Sequence, residues 1–524
     1  MVITSVKFIL FSLISLICFC LFPPKHRWIS LLIASIRFYA TSAGKLIVFL
    51  LLTSYTTWYA AKKMSDTGLP GDMGAQEADA SKEERKRFKK ETARKRKRIM
   101  MFGLIVNIGL LVFFKIAKYY SKGFSYIVNA LSGAKVGDAF QIILPLGISY
   151  YTFSTVGYLL DVYWKRYDYE PGFIRFLTFS VYYPHILQGP ISRYNKLGQE
   201  LKKPELRIRW DNIIIGLESI LLGCFKKLVI ADRAAIFVSA TLNKSNLGGM
   251  IYVIAMILDA VQIYADFSGY MDIVRGISRI YDVELEPNFD HPFLSRSVPE
   301  FWRRWHMSLG SWFRDYVYYP VSLSKPAKKL SRRALKTDSA RAKRFLAIVI
   351  PVYVTWILTG LWHGTGKGYI AWGVYYGTLI CFSTVFSEDI QNRQRKMGIR
   401  TETIPYRLFQ TVKIFVIFMG GRFLGRRMGI NHRIEIVRRI LFNFWDMSVF
   451  DHGLNMANFM IILFGILILV RIAVIETKED VFTWFNKKNY IFCAAVLYIL
   501  IFSVFLLGIY GEAYSTVNFM YRQF

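Results

Sequence analysis

Residues 490–510 read YIFCAAVLYILIFSVFLLGIY, and this uncharged stretch decides the class of fold. About 20 consecutive apolar residues are needed for one α-helix to cross the hydrocarbon core of a bilayer. Comparable apolar runs recur at residues 100–117, 140–163, 174–190, 211–231, 248–264, 343–362, 369–387, 408–420 and 456–475, with two or three more in residues 1–61. The sequence therefore predicts an all-α, polytopic integral membrane protein with about 11–13 membrane helices.

The composition agrees with a membrane protein. Hydrophobic residues make up 54% of the 524 residues and charged residues 20%, and the formal net charge is +32. An excess of Lys and Arg can mark a nucleic-acid partner, but here the cations lie between apolar runs, where cytoplasmic loops carry them. We therefore expect a multi-pass protein of the cell membrane. Its basic loops should contact membrane lipid, and nucleic acid is not expected as a partner.

Changes in composition divide the chain into four parts. Residues 1–61 are predicted to form N-terminal membrane helices, and residues 62–99 a basic cytoplasmic loop that closes on five consecutive cations. Residues 100–510 form the membrane core, and residues 511–524 an aromatic C-terminal tail. Within the core, residues 265–342 mix polar, aromatic and charged side chains. Such a segment cannot face lipid, because backbone N–H and C=O groups without hydrogen-bond partners are costly there. This segment is expected to be interfacial, re-entrant or cytoplasmic.

Two of the seven histidines lie where an ionisable side chain is costly. His363 ends an apolar run between two glycines, which would leave room for a substrate chain. His306 lies in FWRRWHMSLG (residues 301–310), where on a helix it would share a face with Trp302 and Gly310. Ionisable residues in membrane segments are functional candidates, and histidine can take a hydroxyl proton near neutral pH. Hydrogen bonding between buried helices is the alternative role for each.

The sequence does not favour a metal centre or a disulfide framework. The five cysteines lie in or beside apolar runs, and none has CxxC spacing. Structural zinc sites group their ligands at short spacing, whereas His306 and His363 are far apart in the chain. We expect no metal and no bound cofactor.

A series of motifs follows in fixed order through the core. They are LPLGIS (144–149), QGPI (188–191), FKKLVIAD (225–232), YADFSGYMD (264–272), FWRRWH (301–306), FRDY (313–316) and LWHG (361–364). Together they resemble the membrane-bound O-acyltransferase family, specifically its bacterial branch of alginate O-acetylases and teichoic-acid D-alanyl transfer proteins. The DFSGY and FWRRWH motifs are closer to the acetylase branch.

The resemblance implies an O-acyltransferase whose helices surround a central tunnel. His363, in the Trp-His-Gly motif, would be the catalytic histidine in mid-membrane and the general base on a hydroxyl. His306 would be a second required histidine on the cytoplasmic side. The acyl group, acetyl first and D-alanyl second, would pass from a cytoplasmic thioester, either acetyl-CoA or an acylated carrier protein, towards a surface polysaccharide. An extracellular serine-type acyltransferase would be the partner that completes the reaction.

Residues beside the two histidines are candidates for substrate contacts. Trp305 and Trp362 directly precede them, and Arg314 and Asp315 lie in the FRDY motif. For Arg314 and Asp315, pairing with each other or fixing a loop is the alternative role. The same alternative holds for the carboxylates of the YADFSGYMD motif, Asp266 and Asp272.

A basic loop over residues 323–344 departs from the pattern of the family, in which Gly-Gly-Asn-Arg often follows Tyr-Ile-Pro-Leu. It carries nine cations and one acid. Coenzyme A and carrier proteins are both anionic, so this loop is predicted to receive the donor at the cytoplasmic face. Charge that only sets the membrane topology is the alternative.

The chain ends NFMYRQF at residues 518–524, which resembles the Phe-x-Tyr-x-Gln-Phe tail of this branch or of its small partner proteins. Tyr521 is therefore a candidate covalent relay for the acyl group. Anchoring of the aromatic tail at the membrane interface is the alternative. Two other functions also stay open, a polysaccharide transporter or flippase and a scaffold subunit without activity.

Overall fold

The computed structural model describes residues 3–68, 81–119, 144–186, 188–364, 366–445 and 454–510. In these ranges the regular structure is helical, apart from one isolated antiparallel bridge between Phe289 and Trp305. The predicted all-α class is thus confirmed. The first helices are α1 (Val6–Leu21), α2 (Arg27–Ala43), α3 (Ile47–Asp66), α4 (Lys82–Tyr119), α5 (Ile148–Tyr163) and α6 (Phe173–Val181).

The later helices carry the site described below. They are α7 (Trp210–Cys224), α8 (Asp232–Leu242), α9 (Gly249–Ile280), α10 (Val298–Arg304), α11 (Met307–Phe313), α12 (Lys325–Leu335), α13 (Ala340–His363), α14 (Lys367–Val385), α15 (Ser387–Lys396), α16 (Ile404–Gly425), α17 (Ile430–Phe442), α18 (Met456–Glu476) and α19 (Tyr490–Leu507). Short helical turns occupy Phe225–Ala231, Arg314–Tyr318, Tyr319–Ser322 and Val481–Asn486.

The described residues contain seven helical stretches long and apolar enough to cross a membrane, or up to eight with the pair α14–α15, which bends by 55°. The sequence predicted 11–13 segments. The run 211–231 continues as helix from α7 through the turn Phe225–Ala231 into α8, but other apolar runs form shorter helices, such as α5 with 16 residues and α6 with 9. Helices of this length fall short of a bilayer at 1.5 Å rise per residue.

The chain divides into two compact units, one of residues 1–210 with 278–285 and one of residues 211–277 with 286–524. In the first unit, the basic stretch before residue 99 is the start of α4 rather than a separate loop. One of its five consecutive cations, Arg96, is buried and donates to the carbonyl oxygens of Met64 (2.6 Å) and Val162 (3.4 Å). Arg96 therefore caps the C-terminal ends of α3 and α5, where helix carbonyls lack partners.

In the second unit, α7 and α9 cross at glycines. A Cβ on Gly223 would lie 2.5 Å from the carbonyl oxygen of Gly269, and one on Gly269 would lie 2.8 Å from that of Gly223. Small residues at a crossing allow two backbones to approach closely, a common means of helix association in membranes. This close approach brings the cations that follow α7 to the carboxylates of α9.

The two carboxylates of the YADFSGYMD motif, buried Asp266 and half-buried Asp272, are paired with lysines. Lys226 Nζ lies 2.6 Å from Asp272 Oδ2, and Lys227 Nζ lies 2.6 Å from Asp266 Oδ1 and 2.8 Å from Asp232 Oδ1. A buried charge is tolerated when it is paired and hydrogen-bonded. The structure thus gives these carboxylates the pairing role that was one of the two sequence-based interpretations.

Helices α13, α14 and α16 pack side by side around the site. A Cβ on Gly360 of α13 would collide with the carbonyl oxygen of Tyr369 near the start of α14, and one on Gly373 would lie 2.5 Å from that of Trp356. The two helices therefore run antiparallel. A Cβ on Gly425, at the end of α16, would lie 3.3 Å from the ring of Trp372. These contacts place three helix ends next to one another, namely the end of α13, the start of α14 and the end of α16.

Candidate active site

A cavity of about 830 Å³ lies inside the second unit, bounded mainly by α10, α11, α13, α14 and α16. Its wall on α13 extends from Ile348 to His363, a span of about 22 Å at 1.5 Å per residue. His306 and His363, the two histidines singled out in the sequence, both line it. Both candidate catalytic side chains thus line the same cavity.

The chain changes direction at His306. The face that His306 would share with Trp302 and Gly310 on a single helix is not formed, because α10 ends at Arg304 and α11 begins at Met307. His306 itself has a left-handed backbone, with φ of 47°. The N–H of Asp290 donates to the carbonyl of Arg304, and that of Met307 to the carbonyl of Asn288, both at 2.9 Å. These two hydrogen bonds to residues 288–290 stabilise the interruption of the helix at His306.

The hydrogen bonds of Asn288 define the tautomer of His306. Asn288 Oδ1 accepts from the backbone N–H of Ser308 at 3.0 Å, and His306 Nδ1 lies 3.3 Å from the same oxygen. A backbone N–H can only donate, so the atom it faces must be the amide oxygen. His306 Nδ1 therefore carries the proton and Nε2 the lone pair. Burial lowers the pKa of His306 to about 3, which keeps the ring neutral at physiological pH.

His363 is the last residue of α13 and is packed among tryptophans. Its ring centroid lies 4.7 Å from that of Trp362 and 5.0 Å from that of Trp372. The glycines on either side were expected to leave room for a substrate chain. Instead, Tyr369 fills the space beside both Gly360 and Gly364, because α13 and α14 approach each other closely there. The open side of His363 is the cavity.

The four residues proposed for substrate contacts differ in position. Trp305 is 3% exposed and lines the cavity, where its ring packs 4.8 Å from that of Phe418. Trp362 contacts both imidazoles, with its ring 6.0 Å from that of His306. Arg314 lines the cavity and its Nε lies 3.4 Å from Asp315 Oδ1. An exposed pair at this distance contributes little stability, so Arg314 can also meet a ligand.

Residues 323–344 form helix rather than the predicted loop. The helix α12 spans Lys325–Leu335, and α13 begins at Ala340. Ala327 and Ala334 are buried on one side of α12, while its lysines and arginines are exposed. This division into two faces explains why so charged a stretch is ordered. Further along the chain, Arg341 and Arg344 pair with Asp389 and Glu388 of α15.

Sequence reasoning missed most of the arginines in the cavity wall. Five arginines and no aspartate or glutamate are among its described lining residues. Besides Arg314, these are Arg303, Arg422, Arg426 and Arg427. Arg303 lies in the FWRRWH motif but was not singled out, and no motif in the sequence marks the other three. The doublet Arg426–Arg427, which follows an apolar run, was the one available signal.

Two further predictions concern the site. Within the described ranges, no three His, Cys, Asp or Glu side chains come together as a metal site. Tyr521, the candidate relay, lies outside the described residues. The fold and the cavity define a multi-pass α-helical membrane protein with a buried site that contains two histidines.

Comparison with known proteins places this architecture in a family. Residues 165–335 match the model of the membrane-bound O-acyltransferase family. The chain is 26% identical to the probable alginate O-acetylase AlgI of Pseudomonas aeruginosa, over 89% of this chain and 79% of that protein. It is 27% identical to the peptidoglycan O-acetyltransferase of Helicobacter pylori, over 55% of each chain. It is 28% identical to the teichoic acid D-alanyltransferase of Bacillus subtilis, over 46% of this chain and 60% of that protein.

These similarities support the assignment of this multi-pass membrane protein to the membrane-bound O-acyltransferases, with residues 165–335 as the part that matches the family model. The resemblance noted in the motifs is thereby confirmed. An acyl donor is implied by this class of enzyme. The relatives named above carry the names of enzymes that act on alginate, peptidoglycan and teichoic acid.

Proposed function

We propose that the protein transfers an acetyl group from a cytoplasmic thioester, acetyl-CoA or an acylated carrier protein, for O-acylation of a cell-surface polysaccharide. The observation that carries this proposal is the cavity along α13, which joins His363 at one end to Ile348 at the other. The second end lies near the basic residues 323–344, and so many cations favour the cytoplasmic face. A donor from the cytoplasm and a hydroxyl from outside can meet in such a space without the donor crossing the bilayer.

The reaction needs one proton acceptor close to the attacking hydroxyl. His363 takes the hydroxyl proton as the oxygen bonds to the thioester carbonyl carbon. The tetrahedral intermediate then collapses and the carbon–sulfur bond breaks. The leaving thiolate takes the proton back from the imidazolium, since a thiol has a pKa of about 8.5. His306, neutral and with its lone pair on Nε2, is proposed as a second hydrogen-bond acceptor in the same cavity.

Purified full-length protein incubated with radiolabelled acetyl-CoA tests this function directly. Release of free coenzyme A that depends on the protein supports the enzyme, whereas a transporter or a scaffold would show no turnover. Mass spectrometry of surface polymers from cells with and without the protein then identifies the group transferred. The mass added distinguishes acetyl from D-alanyl, the group named for the Bacillus relative.

Reversal of charge on α12 is expected to raise the KM for acetyl-CoA several-fold and to leave kcat unchanged. Lys328, Lys329 and Arg332 are exposed on this helix, and a row of cations steers an anionic donor towards the cavity. Their replacement by Glu should have its full effect at low salt and little at high salt, because ions screen exposed charges.

The matched control reverses Arg393, Arg395 and Lys396 of α15, which are also exposed and belong to a different helix. An equal rise of KM in both triple variants would mean that the cations of α12 are not a docking surface for the donor. They would then serve only to set the membrane topology or to attract anions in general.

Tyr521 is proposed to accept the acyl group and to pass it on to an extracellular serine-type acyltransferase. A phenol ester is more reactive than an alkyl ester, because the phenol leaves with a pKa of about 10. Tyr521→Phe keeps the ring and removes the nucleophile. We expect acylated polymer in cells to fall at least about tenfold, since the replacement removes the covalent step. Wild-type acylation in this variant would instead make Tyr521 an interfacial anchor.

A further inference from the structure

Three tryptophan side chains, which we call the tryptophan wall, line the cavity beside His363. They are Trp302 of α10, Trp356 of α13 and Trp372 of α14. Their ring centroids lie 4.8, 5.5 and 5.6 Å apart, so each ring contacts the other two. The ring of Trp372 also lies 5.0 Å from that of His363. The tryptophan wall is therefore in contact with the side chain proposed to take the hydroxyl proton.

The packing behind the tryptophan wall prevents the rings from moving away from the cavity. The ring centroid of Tyr376 lies between 4.7 and 5.5 Å from those of the three tryptophans. Tyr376 is 1% exposed and does not line the cavity. A Cβ on Gly421 of α16 would collide with the Tyr376 hydroxyl oxygen, so this ring is held against α16. A close-packed support of this kind yields little to a larger ligand.

The position of Trp302 depends on the bulk of its ring rather than on a polar contact. Its Nε1 is buried and has no hydrogen-bond acceptor among the described residues. A buried indole N–H usually has an acceptor, because a buried donor without one is destabilising. The ring instead meets those of Trp372 and Tyr376 edge to face, at interplanar angles of 84°. The space that the indole fills is thus its contribution to the site.

The proposed reaction brings the acyl chain against these rings. The donor arm is proposed to lie along α13 from the cytoplasmic side, and the attacking hydroxyl, that of Tyr521 in the proposed relay, comes from the other side. A hydroxyl that gives its proton to His363 lies about 3 Å from the imidazole nitrogen, and the thioester carbon about 3 Å from the hydroxyl oxygen. The acyl carbons beyond the carbonyl are then beside His363. Of the two tryptophans in contact with its ring, Trp372 lines the cavity and Trp362 does not.

We infer that the tryptophan wall limits the acyl group to the size of acetyl, and that Trp302, Trp356 and Trp372 are specificity-determining residues for the donor. This inference rests on the proposed function, because it takes His363 as the place of acyl transfer. Acetyl adds one methyl group to the carbonyl carbon, whereas a longer chain needs space that the rings occupy. Extra methylene groups in a packed site force side chains out of their preferred conformations. One methylene can change kcat/KM by about 10–200-fold.

The ratio of kcat/KM values for donors of different length tests this limit. Purified full-length protein is assayed with acetyl-CoA, propionyl-CoA and butyryl-CoA, and the release of free coenzyme A is measured for each. We expect the wild type to prefer acetyl-CoA to propionyl-CoA by at least about tenfold, and to butyryl-CoA by more. The amount of folded protein cancels in each ratio, so a loss of stability by itself does not change it.

Trp302→Leu and Trp356→Leu are expected to relax the limit. Each should raise kcat/KM for butyryl-CoA relative to acetyl-CoA by at least about tenfold over the wild-type ratio, because leucine leaves open part of the space that the indole filled. Trp312→Leu is the matched control. Trp312 of α11 is 6% exposed and does not line the cavity, so this variant should keep the wild-type ratio.

Surface polymers from cells extend the test to donors that a carrier protein delivers. Mass spectrometry distinguishes acetyl, propionyl and butyryl esters, which differ by one methylene group each. We expect acetyl esters alone from cells with the wild type, and propionyl and butyryl esters in addition from cells with Trp302→Leu or Trp356→Leu.

Similar kcat/KM values for acetyl-CoA and butyryl-CoA in the wild type would overturn the size limit and leave the proposed function standing. Wild-type ratios in both leucine variants, or unchanged esters in their cells, would overturn the role of the tryptophan wall. If one leucine variant does not fold, the other decides. Wild-type protein without acyl transfer in either assay would instead contradict the proposed function itself, and the size limit would fall with it.

Discussion

Replacement of His363 by alanine is expected to abolish acyl transfer and to leave a folded protein in the membrane. General acid–base catalysis contributes about 10²–10⁴ in rate, and with no imidazole at this position the hydroxyl has no base at the end of α13. The side chain is the last of its helix and faces tryptophan rings and the cavity. Its loss should therefore enlarge the cavity more than it disturbs helix packing.

Turnover of acetyl-CoA by the purified variant and the acetyl content of the surface polymer measure this effect, beside the amount of protein in the membrane and its melting temperature. His432→Ala is a suitable control. His432 Nε2 lies 2.9 Å from the carbonyl oxygen of Leu242, and this histidine does not line the cavity. Normal polymer acylation by a well-expressed His363→Ala protein would remove His363 from the mechanism.

Local sequence was sufficient for the class of fold and for the two histidines. A bilayer demands that every spanning segment satisfy its own backbone and be apolar along its length, so each span is marked by its own residues. For the same reason an ionisable side chain at the end of such a run, as at His363, is conspicuous. The short helices α5 and α6 do not span a bilayer by themselves. Their apolar runs were counted as spans because burial against protein and burial in lipid select the same residues.

The parts of the site that could not be predicted depend on contacts between distant segments. The break at His306 is imposed by residues 288–290, and the residues 301–310 by themselves have the pattern of a continuous helix. The ion pair between Asp259 and Arg422 joins α9 to α16, more than 160 residues further along the chain. Neither of these two contacts between separate segments leaves a repeat or a motif in the sequence. A side chain such as Asn288, which acts on a histidine through one oxygen, leaves no compositional signal at all.

Asn288 is expected to act as a positioning residue for His306, and its replacement by leucine should lower kcat by about 10² or more with little change in KM. The amide oxygen accepts from Nδ1 and thereby keeps the lone pair on Nε2. Leucine has a similar size and no acceptor, so the ring is free to adopt the other tautomer. The measurement is steady-state acetyl-CoA turnover by purified protein over a range of pH.

Asn288→Asp separates this role from a purely structural one, because a carboxylate also accepts from Nδ1–H and should restore most of the rate. It changes the pH profile in a defined direction. In the wild type, burial holds the pKa of His306 near 3, so the ring stays neutral as the pH falls through the weakly acidic range. An anionic partner stabilises the imidazolium and raises that pKa. Since the imidazolium has no lone pair, the aspartate variant should lose activity on acidification at a higher pH than the wild type. An unshifted profile in Asn288→Asp, or a leucine variant as active as the wild type, would show that the tautomer of His306 does not matter for transfer.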